Sequence, residues 1–301
     1  MNRILLLGAN GQLGWELQRA LSPLGSLIAC DRRQADMEDL IGLKSLVQEI
    51  RPSLIVNAAA YTAVDKAEAE RDRAFRVNAE ATGLLAKQAM QLNARLVHYS
   101  TDYVFDGAAK QSYCEDDQAN PLNVYGHSKL AGEQAIRASG CPYLIFRTSW
   151  VYAHRGANFA KTILRLARER DELRVVADQI GAPTSAELIA DISAQTLYAL
   201  SYRDDGERHS GVYHLTAEGE TSWYEYARFV VEESRRIGIP LRTKPEGVLP
   251  IRAKDYPLPA PRPLNSRLNT DKLRSVFGFN LPHWEFHMRR MLVELAGGNQ
   301  A

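Results

Sequence analysis

Cysteine is scarce in this chain: Cys30, Cys114 and Cys141 are odd in number, widely spaced and form no CxxC pair. That excludes a disulfide framework and a thiolate zinc site. No apolar run approaches the ~18 residues that mark a membrane-spanning helix. The apolar start, Ile4 to Leu7, stops at Gly8, too short for the core of a signal peptide. An excess of one charge is missing too, since 37 Lys plus Arg face 36 Asp plus Glu. That balance leaves no electrostatic footprint for nucleic acid or an anionic membrane surface. No internal repeat is visible. What remains is an ordinary globular composition, 45% hydrophobic and 24% charged over 301 residues, which excludes disorder. At about 150 residues per domain this is one large domain or two moderate ones. The expectation is a cytoplasmic protein that binds neither nucleic acid nor membrane.

Near-continuous apolar runs recur at Arg3–Gly8, Leu27–Asp31, Leu54–Ala58, Leu96–Ser100 and Tyr143–Arg147. Unbroken apolarity over strand length fits strands buried on both faces of a parallel sheet. Helical periodicity fills the gaps near Leu13–Leu24, Leu40–Ile50, Arg73–Leu92 and Val124–Ser139. The alternation predicts an α/β fold, a Rossmann-type doubly wound parallel sheet, because a closed barrel needs more such units than the chain supplies. The second half breaks the rhythm. It offers strands at Leu173–Val176 and Val212–Leu215, a loop at Asp178–Thr184 and a helix from Ala186. An aromatic helix around Trp223, Tyr224, Tyr226 and Phe229 follows, then a proline-rich stretch and helices near Asp271–Phe277 and His283–Leu295. Such an irregular region is where a substrate pocket is built.

The first strand runs into Gly8-Ala9-Asn10-Gly11-Gln12-Leu13-Gly14 and then a helix. Glycines at a strand-to-helix junction let a pyrophosphate reach backbone N–H groups at the positive end of the helix. Asp31 closes the second strand, where an acid binds the adenosine ribose hydroxyls of NADH. The adjacent Arg32 and Arg33 would instead neutralise the 2′-phosphate of NADPH, so both cofactors stay open. Small residues Ala58, Ala59 and Ala60 end the third strand and leave room for a ligand in the crevice there.

Tyr125 and Lys129 are spaced i, i+4 on the fourth helix and share one face. A phenol of pKa about 10 needs help to exchange protons at neutral pH. A lysine cation about 5 Å away contributes roughly 3 kcal/mol at an effective dielectric of about 20, or about two pKa units. Thr101, at the end of the fourth strand, carries a hydroxyl suited to holding a carbonyl oxygen against the tyrosine.

With these motifs in place, the sequence resembles the extended short-chain dehydrogenase/reductase superfamily and, within it, the dTDP-4-dehydrorhamnose reductase family. The resemblance spans nearly the whole chain. It rests on the glycines 8, 11 and 14, on Val56–Asp65, His98–Phe105, Pro121–Leu130, Phe146–Tyr152, Asp178–Thr184 and Arg262–Leu268. It implies reduction of the C4 keto group of a dTDP-sugar by NADPH or NADH. Tyr125 would protonate the forming alkoxide, Lys129 would tune Tyr125 and hold the nicotinamide ribose, and Thr101 would bind the carbonyl oxygen. Gly11, Gln12 and Leu13 would bind the pyrophosphate, and Asp31, Asp36 and Met37 would surround the adenosine. Ala60, Tyr61, Thr62 and Tyr99 would line the rest of the cofactor groove. Thr101, Asp102, Tyr125 and Trp150 would face the sugar, and Arg262 suits a diphosphate contact through its bidentate geometry. Residues 1–150 would form the dinucleotide-binding domain, with 186–216 returning to it, and 151–185 with 217–301 the substrate-binding domain. The resemblance also implies Mg²⁺ held by glutamates at a homodimer interface, with Glu16, Glu187 and Glu294 as candidates.

The rivals differ at single positions. A 4,6-dehydratase of this superfamily places an Asp-Glu pair after the Thr, since losing water needs an acid and a base. Here Asp102 is followed by Tyr103. A UDP-sugar 4-epimerase fits the Arg262–Ser266 segment poorly. A non-catalytic regulatory subunit has no need of an aligned Thr101, Tyr125 and Lys129.

Overall fold

The structure, a computed structural model, describes residues 3–201 and 209–297. The parts of the expected domain ranges at 1–2, 202–208 and 298–301 lie outside the described residues. Six parallel strands form the central sheet: β1 Arg3–Leu7, β2 Ser26–Cys30, β3 Leu54–Asn57, β4 Arg95–Thr101, β5 Tyr143–Thr148 and β6 Gly211–His214. Their order across the sheet is β6-β5-β4-β3-β1-β2. The fold is therefore α/β with an open, doubly wound parallel sheet. The chain leaves β1 for β2 on one side and then crosses back to β3 on the other. This topological switch point opens a crevice at the carboxyl ends of β1 and β3, where such sheets bind ligands.

Both faces of the sheet are covered, which explains the unbroken apolar runs. Alternate side chains of β1 go to opposite layers: Ile4 and Leu6 join one core cluster, and Leu5 and Leu7 the other. Helices α1 (Gln12–Leu21) and α6 (Ala186–Ser201) pack together over the first face. Over the second lie α2 (Leu40–Ile50), α3 (Ala81–Gln91) and α4 (Val124–Ser139). Further helices are α5 (Phe159–Glu169), α7 (Trp223–Arg236), α8 (Asp271–Phe277) and α9 (Trp284–Gly297). No helix among the described residues is long and apolar enough to cross a membrane.

Three expected elements change. The strand expected to close on Asp31 ends at Cys30, leaving Asp31 free to turn its carboxylate back on the loop. The long helix expected over Arg73–Leu92 is interrupted. A helical turn at Arg71–Phe75 passes into a π-helical turn at Arg76–Glu80 before α3 begins. The wider turn sends Asn78 sideways, where it accepts from the Tyr61 amide at 2.9 Å and donates to Ser128 of α4 at 2.9 Å. In the second half, the Asp178–Thr184 loop contributes two-residue strands, Ile180–Gly181 beside Thr221–Ser222 and Thr184–Ser185 beside Val151–Tyr152. Strand Leu173–Val176 pairs with Val248–Ile251.

Candidate active site

Gly8 has a φ of +81°, and a methyl group there would lie 2.7 Å from the Ala59 nitrogen. Only glycine meets both conditions. A methyl on Gly14 would collide with the Gly8 carbonyl, so the loop folds flat beneath the start of α1. Gly11 caps that helix without any side-chain hydrogen bond. The first amides of α1 are thus free of side-chain partners at its positive end, the arrangement that receives a pyrophosphate. Gln12 accepts from Asn158 of the second half at 3.1 Å, and Leu13 packs on the core.

From this loop a groove runs between β1 and β3, lined by Asn10, Arg32, Asp36, Met37, Ala58, Ala59, Ala60 and Tyr61 among others. Asp31 accepts from Asn10 at 2.9 Å and from the Arg33 amide at 2.9 Å. The Arg33 amide, helped by the Arg33 guanidinium, holds its carboxyl below the usual range. Arg32 is tied to Glu38 at 2.5 Å and to Asp36 at 3.6 Å. Arg33 points outward and pairs back on Asp31. Thr62 is exposed and does not line this groove. Tyr99 stands apart: its ring stacks on Phe146 and its hydroxyl donates to Ser193 of α6. What it turns toward the site is its backbone carbonyl.

At the end of β4, Thr101 donates to Asp102 Oδ1 at 2.9 Å and accepts from the Tyr103 amide at 3.1 Å. Asp102 is 3% exposed, and burial pushes its carboxyl up to about 6, with the Ser266 and Thr101 hydroxyls pulling the other way. Helix α4 starts at Asn123, whose side chain caps the Gly126 amide at 2.8 Å and donates to the Pro261 carbonyl at 2.8 Å. The cap therefore anchors the proline-rich stretch beside the site. Tyr125 and Lys129 project from the first turns of α4. Lys129, 2% exposed, donates to the Tyr99 carbonyl at 2.6 Å and lies 3.1 Å from His98 Nε2. Burial lowers its ammonium to about 8, against the pull of Glu133.

One expectation is reversed. Burial holds the Tyr125 phenol well above its ordinary value, the Thr101 hydroxyl works the other way, and the charge of Asp102 raises it further. Desolvation outweighs the attraction expected from Lys129, which spends its nearest contacts on β4 instead.

Two further residues expected to face the sugar are Trp150 and Arg262. Trp150 has a φ of +47°, unusual for a side chain so large. It is clamped: its indole stacks on Trp223 with ring centroids 3.5 Å apart. A methyl on Gly181 would lie 2.7 Å from the indole on its other side. Arg262 donates to Asp65 at 2.8 Å and to the Ala260 carbonyl at 3.0 Å. It lies over the Tyr103 ring, whose neighbour at 5.6 Å is Tyr125. The bidentate fork expected to meet a diphosphate is thus already half engaged by Asp65.

Glu16, Glu187 and Glu294 do not come together. Glu16 faces Arg19 at 3.6 Å, Glu187 meets Arg290 at 3.1 Å, and Glu294 lies 3.9 Å from His154. Among the described residues no three His, Cys, Asp or Glu side chains converge to hold a metal ion. Glu16 and Glu187 each meet an arginine; burial, with Glu187 and Asp191 nearby, raises the Glu16 carboxyl, but no ligand cluster forms, so within one chain these residues do not fit Mg²⁺.

Asn57, His98, Asn78, Glu133 and Arg147 support the site and were not expected as functional residues. Arg147 of β5 holds Glu133 of α4 with bonds of 2.9 and 2.7 Å, docking the helix that carries Tyr125 and Lys129.

Residues 1–296 match the family model described as the RmlD substrate binding domain. The chain is 51% identical to the dTDP-4-dehydrorhamnose reductase of Escherichia coli (strain K12), with 97% of each chain covered. Among solved structures it is similar to the dTDP-4-dehydrorhamnose reductase of Bacillus anthracis in complex with NADP. There the TM-score is 0.88 and the identity 36%, with 98% of this chain and 100% of that chain covered. A Clostridium acetobutylicum dTDP-4-dehydrorhamnose reductase gives a TM-score of 0.89 at 35% identity, covering 98% and 99%.

Proposed function

Because the chain belongs to the RmlD substrate binding domain family, we propose that it reduces the C4 keto group of dTDP-4-dehydro-β-L-rhamnose to give dTDP-β-L-rhamnose. It is an NAD(P)H-dependent oxidoreductase acting at the last step of dTDP-L-rhamnose synthesis. The observation that carries the reading is local. Thr101, Tyr125 and Lys129 meet at the carboxyl end of β4, beside the groove that opens at the β1/β3 switch point.

The glycine loop and the uncapped start of α1 take the pyrophosphate, while Asp31, Asp36 and Met37 surround the adenosine. Ala58–Tyr61 leave space for the ribose and ring beyond. When bound, the nicotinamide supplies a hydride to C4 of the sugar. The Thr101 hydroxyl, now donating to Asp102, turns to the carbonyl oxygen. Burial keeps Tyr125 in its protonated form at neutral pH, the form an acid needs. As C4 accepts the hydride, Tyr125 gives its proton to the developing alkoxide, so C=O becomes CH–OH. Lys129, held against the Tyr99 carbonyl, has a donor free for the nicotinamide ribose. Trp150 forms a wall for the sugar, and Arg262 exchanges part of its contact with Asp65 for the diphosphate. In this division of labour residues 1–150 with 186–216 bind the cofactor, and 151–185 with 217–301 bind the sugar nucleotide.

Tyr103, standing where dehydration would place a carboxylate, makes no base for it. It lies edge-on to Tyr125, and burial holds its phenol above the ordinary value. For assembly, the reading is a homodimer, and a divalent ion would need carboxylates from a second copy beside Glu16 and Glu187. Sedimentation with and without Mg²⁺ tests both: a monomer under each condition removes them. The decisive experiment for the reaction is loss of NADH or NADPH absorbance with dTDP-4-dehydro-L-rhamnose made in situ. Turnover forming dTDP-L-rhamnose is expected. Dinucleotide binding without turnover would favour the regulatory-subunit reading.

A further inference from the structure

The polar chain behind Lys129 has its proton positions fixed from one end. In the parallel ladder Asn57 of β3 stands opposite His98 of β4, and both are buried, at 1% and 0% exposure. The Ala59 amide bonds to Asn57 Oδ1 at 3.1 Å. A backbone amide can only donate, so the atom of Asn57 facing it is the oxygen. The amide nitrogen of Asn57 then faces His98 Nδ1 at 3.3 Å, and it too can only donate. His98 Nδ1 is therefore the acceptor. A neutral imidazole carries one N–H, and complete burial keeps His98 neutral. Its proton sits on Nε2, which faces Lys129 Nζ at 3.1 Å. An ammonium cannot accept that N–H, whereas a neutral amine can.

We propose that Asn57 and His98 are positioning residues for the reduction: they turn an N–H toward Lys129, so the amine accepts from His98 Nε2 and donates to the Tyr99 carbonyl. One amine N–H is left for the nicotinamide ribose. The inference rests on the reductase reading for its purpose but on hydrogen-bond accounting for its content. The charged and titratable groups facing Lys129 are Glu133 on its own helix and His98 from β4, with Arg147 from β5 bound to Glu133. Glu133 favours the charged amine, and its bidentate bond to Arg147 blunts that pull. Burial lowers the Lys129 ammonium in the direction this arrangement needs, to about 8.

The test reads protons directly. In ¹⁵N-histidine-labelled protein without substrate, His98 shows an unprotonated Nδ1 and a protonated Nε2. Lysine labelled at Cε shows Lys129 titrating below the other lysines. Asn57→Asp keeps the side-chain shape but places oxygens opposite both Ala59 and His98. It reverses the tautomer, raises the Lys129 titration by a unit or more, and moves the alkaline limb of kcat/KM up by the same amount. His98→Gln serves as a second variant. Its amide can accept from Lys129, so the lysine titration rises there too. A protonated Nδ1 in the wild type, or an Asn57→Asp protein that binds cofactor with Lys129 titrating as before, overturns the proposal. Since the spectra need no substrate, that failure is distinct from failure of the reductase assay.

Discussion

Arg147 and Glu133 meet through two parallel hydrogen bonds of 2.9 and 2.7 Å, with their side chains 2% and 1% exposed. Arg147 also reaches the Glu115 carbonyl at 3.3 Å and lies over the Phe105 ring. A charge that loses its partner at such depth has no water to turn to. Glu133→Ala is expected to destabilise the protein by about 3–5 kcal/mol, and replacing both residues with apolar side chains of similar volume by much less. Urea unfolding of the two variants and the wild type checks this. Equal losses in the single and double variants would show that packing, not charge, dominates.

That pair also marks where legibility in the sequence ended. Gly8, Gly11 and Gly14, or Tyr125 and Lys129, lie within a few residues of one another, and backbone periodicity alone brings them together. Arg147 and Glu133 are 14 residues apart, Lys129 and His98 31, Asn57 and His98 41. Their meeting depends on sheet register and on how α4 is laid across it, which no local pattern reports. Asn78 was invisible for another reason: a π-helical turn has no sequence period distinct from the helix around it. Tyr99 follows from simple alternation, since His98 and Tyr99 are neighbours on one strand and point to opposite faces. Helix α5 was passed over although Ala160, Ile163, Leu164 and Ala167 are buried at helical spacing.

Tyr125→Phe is expected to keep the fold and the cofactor affinity and to lose at least ~10²-fold in kcat, the usual size of a positioned acid. Phenylalanine leaves the packing against Tyr103 in place. Steady-state rates with saturating dinucleotide make the measurement. Turnover like the wild type would take Tyr125 out of the acid role.

Asp102 makes stability depend on pH. Its carboxyl titrates near 6 in the folded chain and near about 3.9 when unfolded. Between those values the folded protein keeps a proton the unfolded chain has released, so this contribution falls as pH rises and is fully lost above about 6. Two units amount to about 3 kcal/mol. Asn cannot ionise, so Asp102→Asn should gain on the wild type from pH 4 to 6 and hold a constant lead above 7. Unfolding free energies across that range decide it, and a difference independent of pH counts against a buried, titrating Asp102.

Arg32 lines the adenosine end of the groove, whereas Arg33 is directed outward, its side chain 90% exposed. Of the two, Arg32 is placed to meet a 2′-phosphate, though it must leave Glu38 and Asp36 to do so. In the proposed binding mode NADH asks nothing of it, because the ribose hydroxyls would fall to Asp31, which accepts from Asn10 and the Arg33 amide. A charge-assisted hydrogen bond is worth about 1.5–3 kcal/mol. Arg32→Ala should therefore raise KM for NADPH by about 10- to 100-fold and change KM for NADH by less than about threefold. Arg33→Ala should act weakly on both. If the two cofactors suffer alike from Arg32→Ala, the residue shapes the groove and does not read the phosphate.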